Sequence, residues 1–141
     1  MRGKTALLVG VMTLTLHLQP TPAGARVAPP TGNWQGTIVM YRSGVARARV
    51  PLLLAIPSLR VGRVSARADW RARPRCTDFL RLERVRAGRW HFSIAASVGA
   101  CAGASWKFDL RWRRPGQLEL RAVSRALRYR GIVYRGTLRR I

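Results

Sequence analysis

Any catalysis in this chain would have to begin at His91. A serine hydrolase needs a base to take the hydroxyl proton and a carboxylate to orient that base. Ser93 or Ser105 with His91 and Asp109 would supply those residue types. The spacing favours a plainer role. There is no Gly-x-Ser-x-Gly elbow, and His91 sits between Trp90 and Phe92 in an alternating run, where a strand places a polar-face side chain. The chain has only 5 Asp and Glu. A glycosidase needs two carboxylates flanking one bond, whereas Asp69, Asp78 and Asp109 each lie within a few residues of an arginine, so ordinary ion pairs account for them. The loop Gly99-Ala100-Cys101-Ala102-Gly103 lacks the Lys and Ser/Thr of a phosphate-binding loop. The histidines are His17 and His91 and there is no C-x-x-C pair, which leaves no zinc ligand set. The sequence therefore predicts no catalytic residue, metal or cofactor, and a non-enzymatic protein.

Charge is the outlying feature. Lys and Arg number 27 against 5 acidic residues, a formal charge of +22, and nearly all of it is arginine. GC-rich coding would supply arginine without any function. Whatever its origin, such a surface attracts anionic polymers and anionic membranes in a salt-sensitive, non-specific way, with no specific nucleic-acid target implied. The cations fall on strand faces: Arg63 and Arg67 on one, Lys107, Arg111 and Arg113 on another, and Arg135 near the end. These form the candidate anion-binding surface.

The amino terminus reads as a secretory signal. Arg2 and Lys4 form a basic start, Thr5 to Leu18 is apolar, Gln19-Pro20-Thr21-Pro22 breaks it, and Ala23-Gly24-Ala25 offers small residues to a signal peptidase. The apolar run is shorter than the roughly 20 residues of a membrane span. The expected organisation is a cleaved signal over 1–25, a mobile Pro-rich lead over 26–31, and one domain over 32–141. Export to an oxidising compartment predicts that the two cysteines, Cys76 and Cys101, form a disulfide. The loop it closes makes it worth about 3 kcal/mol.

Beyond the lead, the dominant period is two. Trp34 to Tyr41 is rich in strand formers. Val50, Leu52, Leu54 and Ile56 form a second run, with Pro51 marking a strand start or edge. Val64, Ala66, Ala68 and Trp70 form a third, and Cys76, Asp78, Leu80 and Leu82 a fourth. Trp90, Phe92, Ile94 and Ala96 follow the Ala87-Gly88 turn. Trp106, Phe108, Leu110 and Trp112 alternate with Lys107, Asp109, Arg111 and Arg113. After Pro115-Gly116 come Leu118, Leu120 and Ala122, and last Ile132, Tyr134, Gly136 and Leu138. Val123 to Tyr129 has room for a helical turn. These runs make eight candidate strands of an all-β protein, apolar on one face and basic on the other. An antiparallel up-and-down barrel removes the exposed edges and leaves an interior that is either filled or able to hold one small ligand. A transmembrane barrel would need longer spans and an apolar exterior.

The tryptophans read in two ways. They are core filling, or Trp70, Trp90, Trp106 and Trp112 with Phe108 line a cavity for a small apolar ligand. Base stacking beside arginine would put Trp and Arg on one face, and the alternation places Trp106 and Trp112 opposite Lys107 and Arg111.

Gly32-Asn33-Trp34-Gln35-Gly36-Thr37 is similar to the Gly-x-Trp opening of lipocalin-like and avidin-like barrels. That resemblance implies that Trp34, following Gly32, plugs one end of the barrel, with Arg139 or Arg140 from the last strand lying across it. The chain more closely resembles small exported barrel domains of actinobacteria, some appended to membrane kinases. Those open with Gly-x-Trp-x-Gly-Thr, carry two mid-chain cysteines and end in Gly-Thr-Leu-x-Arg, matched here by Gly136-Thr137-Leu138-Arg139-Arg140. Where such domains have Cys-x-Gly, this chain has Cys76-Thr77-Asp78, and its arginine load is heavier. The resemblance brings no catalytic residue with it. Three functional expectations follow: an exported module that binds anionic envelope or extracellular material, a carrier of a small apolar ligand, or a hydrolase inhibitor acting through the Val98–Ala104 loop.

Overall fold

In a computed structural model, which describes residues 28–101 and 105–141, the alternating runs become eight strands. They are β1 (Gly32–Arg42), β2 (Val45–Ile56), β3 (Val64–Trp70), β4 (Cys76–Arg86), β5 (Arg89–Gly99), β6 (Trp106–Arg114), β7 (Gln117–Ser124) and β8 (Ile132–Arg140). Each pairs antiparallel with the next and β8 returns to β1, closing an up-and-down barrel. The only helical piece among the described residues is the 3-10 turn Leu127–Tyr129, inside the stretch expected to hold one. The signal segment, and Arg26 and Val27 of the lead, lie outside the described residues.

The period-two pattern sets the faces. Trp34, Ile38, Leu54, Phe92, Leu110, Leu120 and Leu138 point inward and are buried, while Arg67, Lys107, Arg111, Arg121 and Arg135 on the intervening positions are exposed. Each fully buried Leu or Ile is worth about 1.5–3 kcal/mol of transfer free energy. An apolar interior under a charged exterior is the reverse of a membrane barrel's arrangement. The Ala87-Gly88 turn carries positive φ at both residues, 49° and 68°, the conformation that joins tightly paired strands without splaying them. Gly36 has a different purpose: a Cβ there would run into the Thr137 carbonyl oxygen of β8, so β1 and β8 close the cylinder only because this position is bare.

The pattern fails at Val64 and Pro51, and again at Ala96, which is exposed past a register shift between β4 and β5. Alternation predicts Val64 inward, but it is 53% exposed. A register shift between Val64 and Ala66 turns it out and puts Ser65 inside instead. The Ser65 hydroxyl is satisfied there, donating to the Arg60 carbonyl at 3.1 Å and accepting from the Arg60 amide at 3.1 Å. Pro51, predicted at a strand start or edge, lies inside β2 opposite Thr37. Its carbonyl accepts from the Arg71 amide at 2.9 Å. Because a strand residue's N and C=O point the same way, its missing N–H faces the side where β3 has already ended at Trp70.

Candidate functional site

Register divides the barrel into two ends. The start of β1 and the ends of β2, β6 and β8 form one; the ends of β3, β5 and β7 and the starts of β4, β6 and β8 form the other.

The first end is plugged. The Trp34 indole is fully buried and donates to the Pro30 carbonyl at 3.0 Å. Trp112 stands edge-on to it, 5.5 Å between ring centres, and donates to the Ala28 carbonyl at 2.8 Å. Arg140, not Arg139, lies across Trp34, its guanidinium carbon 4.9 Å from the ring centre. Of the two arginines the resemblance offers, this corrects Arg139 as the closing residue in favour of Arg140. Leu138 points inward, so Arg140 shares its face and Arg139 faces out. Arg140 also donates to the Thr31 carbonyl at 2.8 Å. Residues 28–31, expected to be mobile, are thus tied down by three side chains. Gly32, with φ of 119°, lets the chain turn into β1 beneath that guanidinium.

The second end is hollow. A half-enclosed cavity of about 170 Å³ is walled by Trp70, Trp106, Phe108, Tyr134, Asp78 and the Cys76–Cys101 pair, with Ala72, Pro74 and Ala100 at its edge. Trp90 and Trp112, expected in the lining, are not part of it. Trp112 belongs to the plug, and Trp90 pairs with Leu110 and Val85 well down the barrel. The disulfide joins the start of β4 to the loop after β5, with Cα atoms 5.1 Å apart, inside the span such a bond requires. The four rings touch in sequence: Phe108 to Trp70 at 6.2 Å, Trp70 to Tyr134 at 5.7 Å, Tyr134 to Trp106 at 5.0 Å. Burial pushes the Tyr134 phenol above its usual range, and the neighbouring Tyr129 adds to that.

Asp78 is the residue that sequence reasoning misjudged. An arginine nearby in the chain predicts a surface ion pair, yet Asp78 is 4% exposed and has no ion-pair partner among the described residues. Its carboxylate accepts from the Trp70 indole N–H at 2.9 Å and from the Ser97 hydroxyl at 2.6 Å. The signal was present in the alternation, since Asp78 shares a face with Cys76, Leu80 and Leu82. Asp78 and the two cysteines have ligand-type atoms within 4.8 Å of one another, but sulfurs joined as a disulfide offer no thiolate to a metal. The Trp106 indole nitrogen is buried without a hydrogen-bond partner among the described residues.

The outer face carries the charge. Of the five acidic residues, Asp69 pairs with Arg67 at 3.0 Å and Glu119 with Arg111 at 2.7 Å. Asp109 meets the Nδ1 of His91 at 2.6 Å, Glu83 accepts from the Ser93 hydroxyl, and Asp78 is inside. His91 and Asp109 are therefore together on the outer face, but Ser93 donates elsewhere and Ser105 bonds Ser124 at 2.7 Å. The six expected cations do not form one patch. Lys107, Arg111, Arg113 and Arg135 lie on β6 and β8, which flank β7, while Arg67 on β3 and Arg63 just before it are across the barrel. Sequence reasoning missed Arg121, which stands directly opposite Arg135, and a groove further along β8. That groove, of about 410 Å³, runs over β8, β1 and β2 with Gly36 in its floor, Thr37 and Thr137 on its walls and Arg71 and Arg139 at its sides. Arg113 reaches over β7 to donate to the Thr137 hydroxyl at 3.0 Å. The Val98–Ala104 loop is described only to Cys101, with Val98 exposed.

The fold and these two sites define a disulfide-linked, closed eight-stranded barrel. The chain matches no family model, no curated protein and no solved structure.

Proposed function

We propose that this is an exported, non-enzymatic barrel that binds anionic envelope or extracellular material through the basic face of β6, β7, β8 and β1. One observation carries the reading: Arg71 and Arg139 line the groove, Arg113 reaches its Thr137 wall, and Arg121 stands opposite Arg135 on β7 and β8, with no carboxylate in ion-pair reach of any of these five among the described residues. Like charges directly opposite on paired strands repel each other, so the Arg121–Arg135 pair is stabilised when an anion lies across it. The Gly32-x-Trp34 opening, the Arg140 stack and the meander topology support the further reading of the chain as a lipocalin- or avidin-like domain of the exported actinobacterial type.

The test is binding of heparin, and of anionic against neutral vesicles, at low and high salt. Affinity for the anionic partners should fall steeply with salt. Reversing Arg71 and Arg139 to Glu should weaken binding and shallow the salt slope by about one for each anionic group no longer held. Unchanged binding in that variant would remove the groove from the reading.

The cavity favours a second reading, a carrier of a small ligand. It is walled by aromatic side chains at one end of the barrel, and it is close in size to an engineered cavity of about 150 Å³ that admits benzene.

A further inference from the structure

Among the described residues, this basic barrel has a single carboxylate lining its hollow end, and no cation there to pair with it. The cavity wall holds no Lys, Arg or His among the described residues. Burying a carboxylate is costly unless it is paired, and the two bonds Asp78 accepts come from neutral donors, Trp70 and Ser97. Each oxygen keeps lone-pair capacity beyond those bonds. Around it stand Trp70, Trp106, Phe108 and Tyr134, whose ring faces carry the negative side of the aromatic quadrupole. Carboxylate and rings together favour positive charge, and do so most strongly when the charge is large, soft and poorly hydrated.

We infer that the cavity takes a small organic ammonium ion, its cationic group against Asp78 and the aromatic wall. The volume of about 170 Å³ holds a body near the size of benzene, on the order of six to eight heavy atoms. The inference rests on the carrier reading and specifies its ligand. It does not depend on the outer arginines, which would repel such a cation in solution. That repulsion gives the two sites opposite responses to salt: polyanion binding on the exterior falls as salt rises, whereas ammonium binding in the cavity holds or strengthens as the exterior charge is screened.

The probe pair is choline and 3,3-dimethylbutan-1-ol, which share shape and hydroxyl and differ in whether the quaternary centre is nitrogen or carbon. Titration calorimetry of the purified protein should find choline bound about tenfold or more tightly, with no loss at high salt. Asp78→Asn keeps the side-chain shape, with its oxygen left to accept from Trp70 and its amide N–H able to donate to the Ser97 hydroxyl, and should abolish the preference while near-ultraviolet circular dichroism stays unchanged. Trp106→Phe should weaken choline more than the alcohol, since the indole is the stronger face for a cation. Equal binding of the two probes by the unaltered protein would overturn the ammonium inference and leave the carrier reading standing. Binding of neither would overturn both. A preference that survives in Asp78→Asn would overturn the assignment to this carboxylate. The unaltered protein decides the first question even if the variant does not fold.

Discussion

The two ends of this barrel are built from the same strands and each contains two tryptophans, yet one end is solid and the other hollow. At the plugged end both indole N–H groups reach main-chain carbonyls, Trp34 to Pro30 and Trp112 to Ala28, because residues 28–31 fold across the opening. At the hollow end no such strap supplies carbonyls among the described residues. One indole uses a carboxylate, Asp78, and the other has no acceptor among the described residues. The contrast shows how a strap of main-chain carbonyls separates a filled end from an open one.

The comparison can be broken at several levels. The largest effect should come from truncating the plug: Trp34→Ala should cost about 3–5 kcal/mol in denaturant unfolding, and Trp106→Ala distinctly less, since its ring already borders open space. Equal costs would mean the two ends are packed alike. Next, replacing Cys76 and Cys101 by Ser should cost about 3 kcal/mol. Amide exchange should then accelerate at Thr77, Asp78 and Val98 before it does at Trp34; uniform acceleration would deny the ends their independence. A smaller effect separates neighbours in sequence. Arg140→Ala should lose about 0.5–2 kcal/mol with its ring contact, while Arg139→Ala stays within about 0.5 kcal/mol. The reverse order in thermal melts would restore Arg139 as the closing residue.

The smallest effect is alkaline. Tyr134 holds its proton more tightly in the folded chain than in the unfolded one, whose phenol titrates near 10.0. Its contribution to stability is therefore complete below that pH and is lost as pH rises through the higher folded value. Tyr134→Phe should lessen the alkaline loss of stability, and ultraviolet titration should find one phenol ionising late. If every phenol titrates in the usual range, the hollow end is wetter than its geometry implies.

Alternation was legible in the sequence, and with it the strands, the apolar interior, the basic exterior and the facing of Asp78 toward Leu80. Arg140 over Arg139 was legible too, by counting two from Leu138. Height along the barrel axis was not. A period of two tells which way a side chain points but not which residues on other strands stand level with it; shear and register decide that. This is why alternation groups Trp90 and Trp112 with Trp70 and Trp106 although they lie at other levels. The Val64 bulge was hidden for a related reason: an extra residue in one strand is a property of the pair, and only the partner's spacing reveals it.

Closure of the cylinder has a further consequence, for how the chain can be rewired. The Ile141 amide donates to the Asn33 carbonyl at 3.0 Å, so the seam between first and last strands is spatially as tight as any hairpin. The Ala87-Gly88 turn opens at that same end, four strands away. A short linker across the seam, with new termini cut at Ala87-Gly88, would give a circular permutant in which every pairing is kept and the hollow end is untouched. Such a permutant would carry its fusion points away from the cavity mouth, a convenient geometry for displaying this barrel as a sensor.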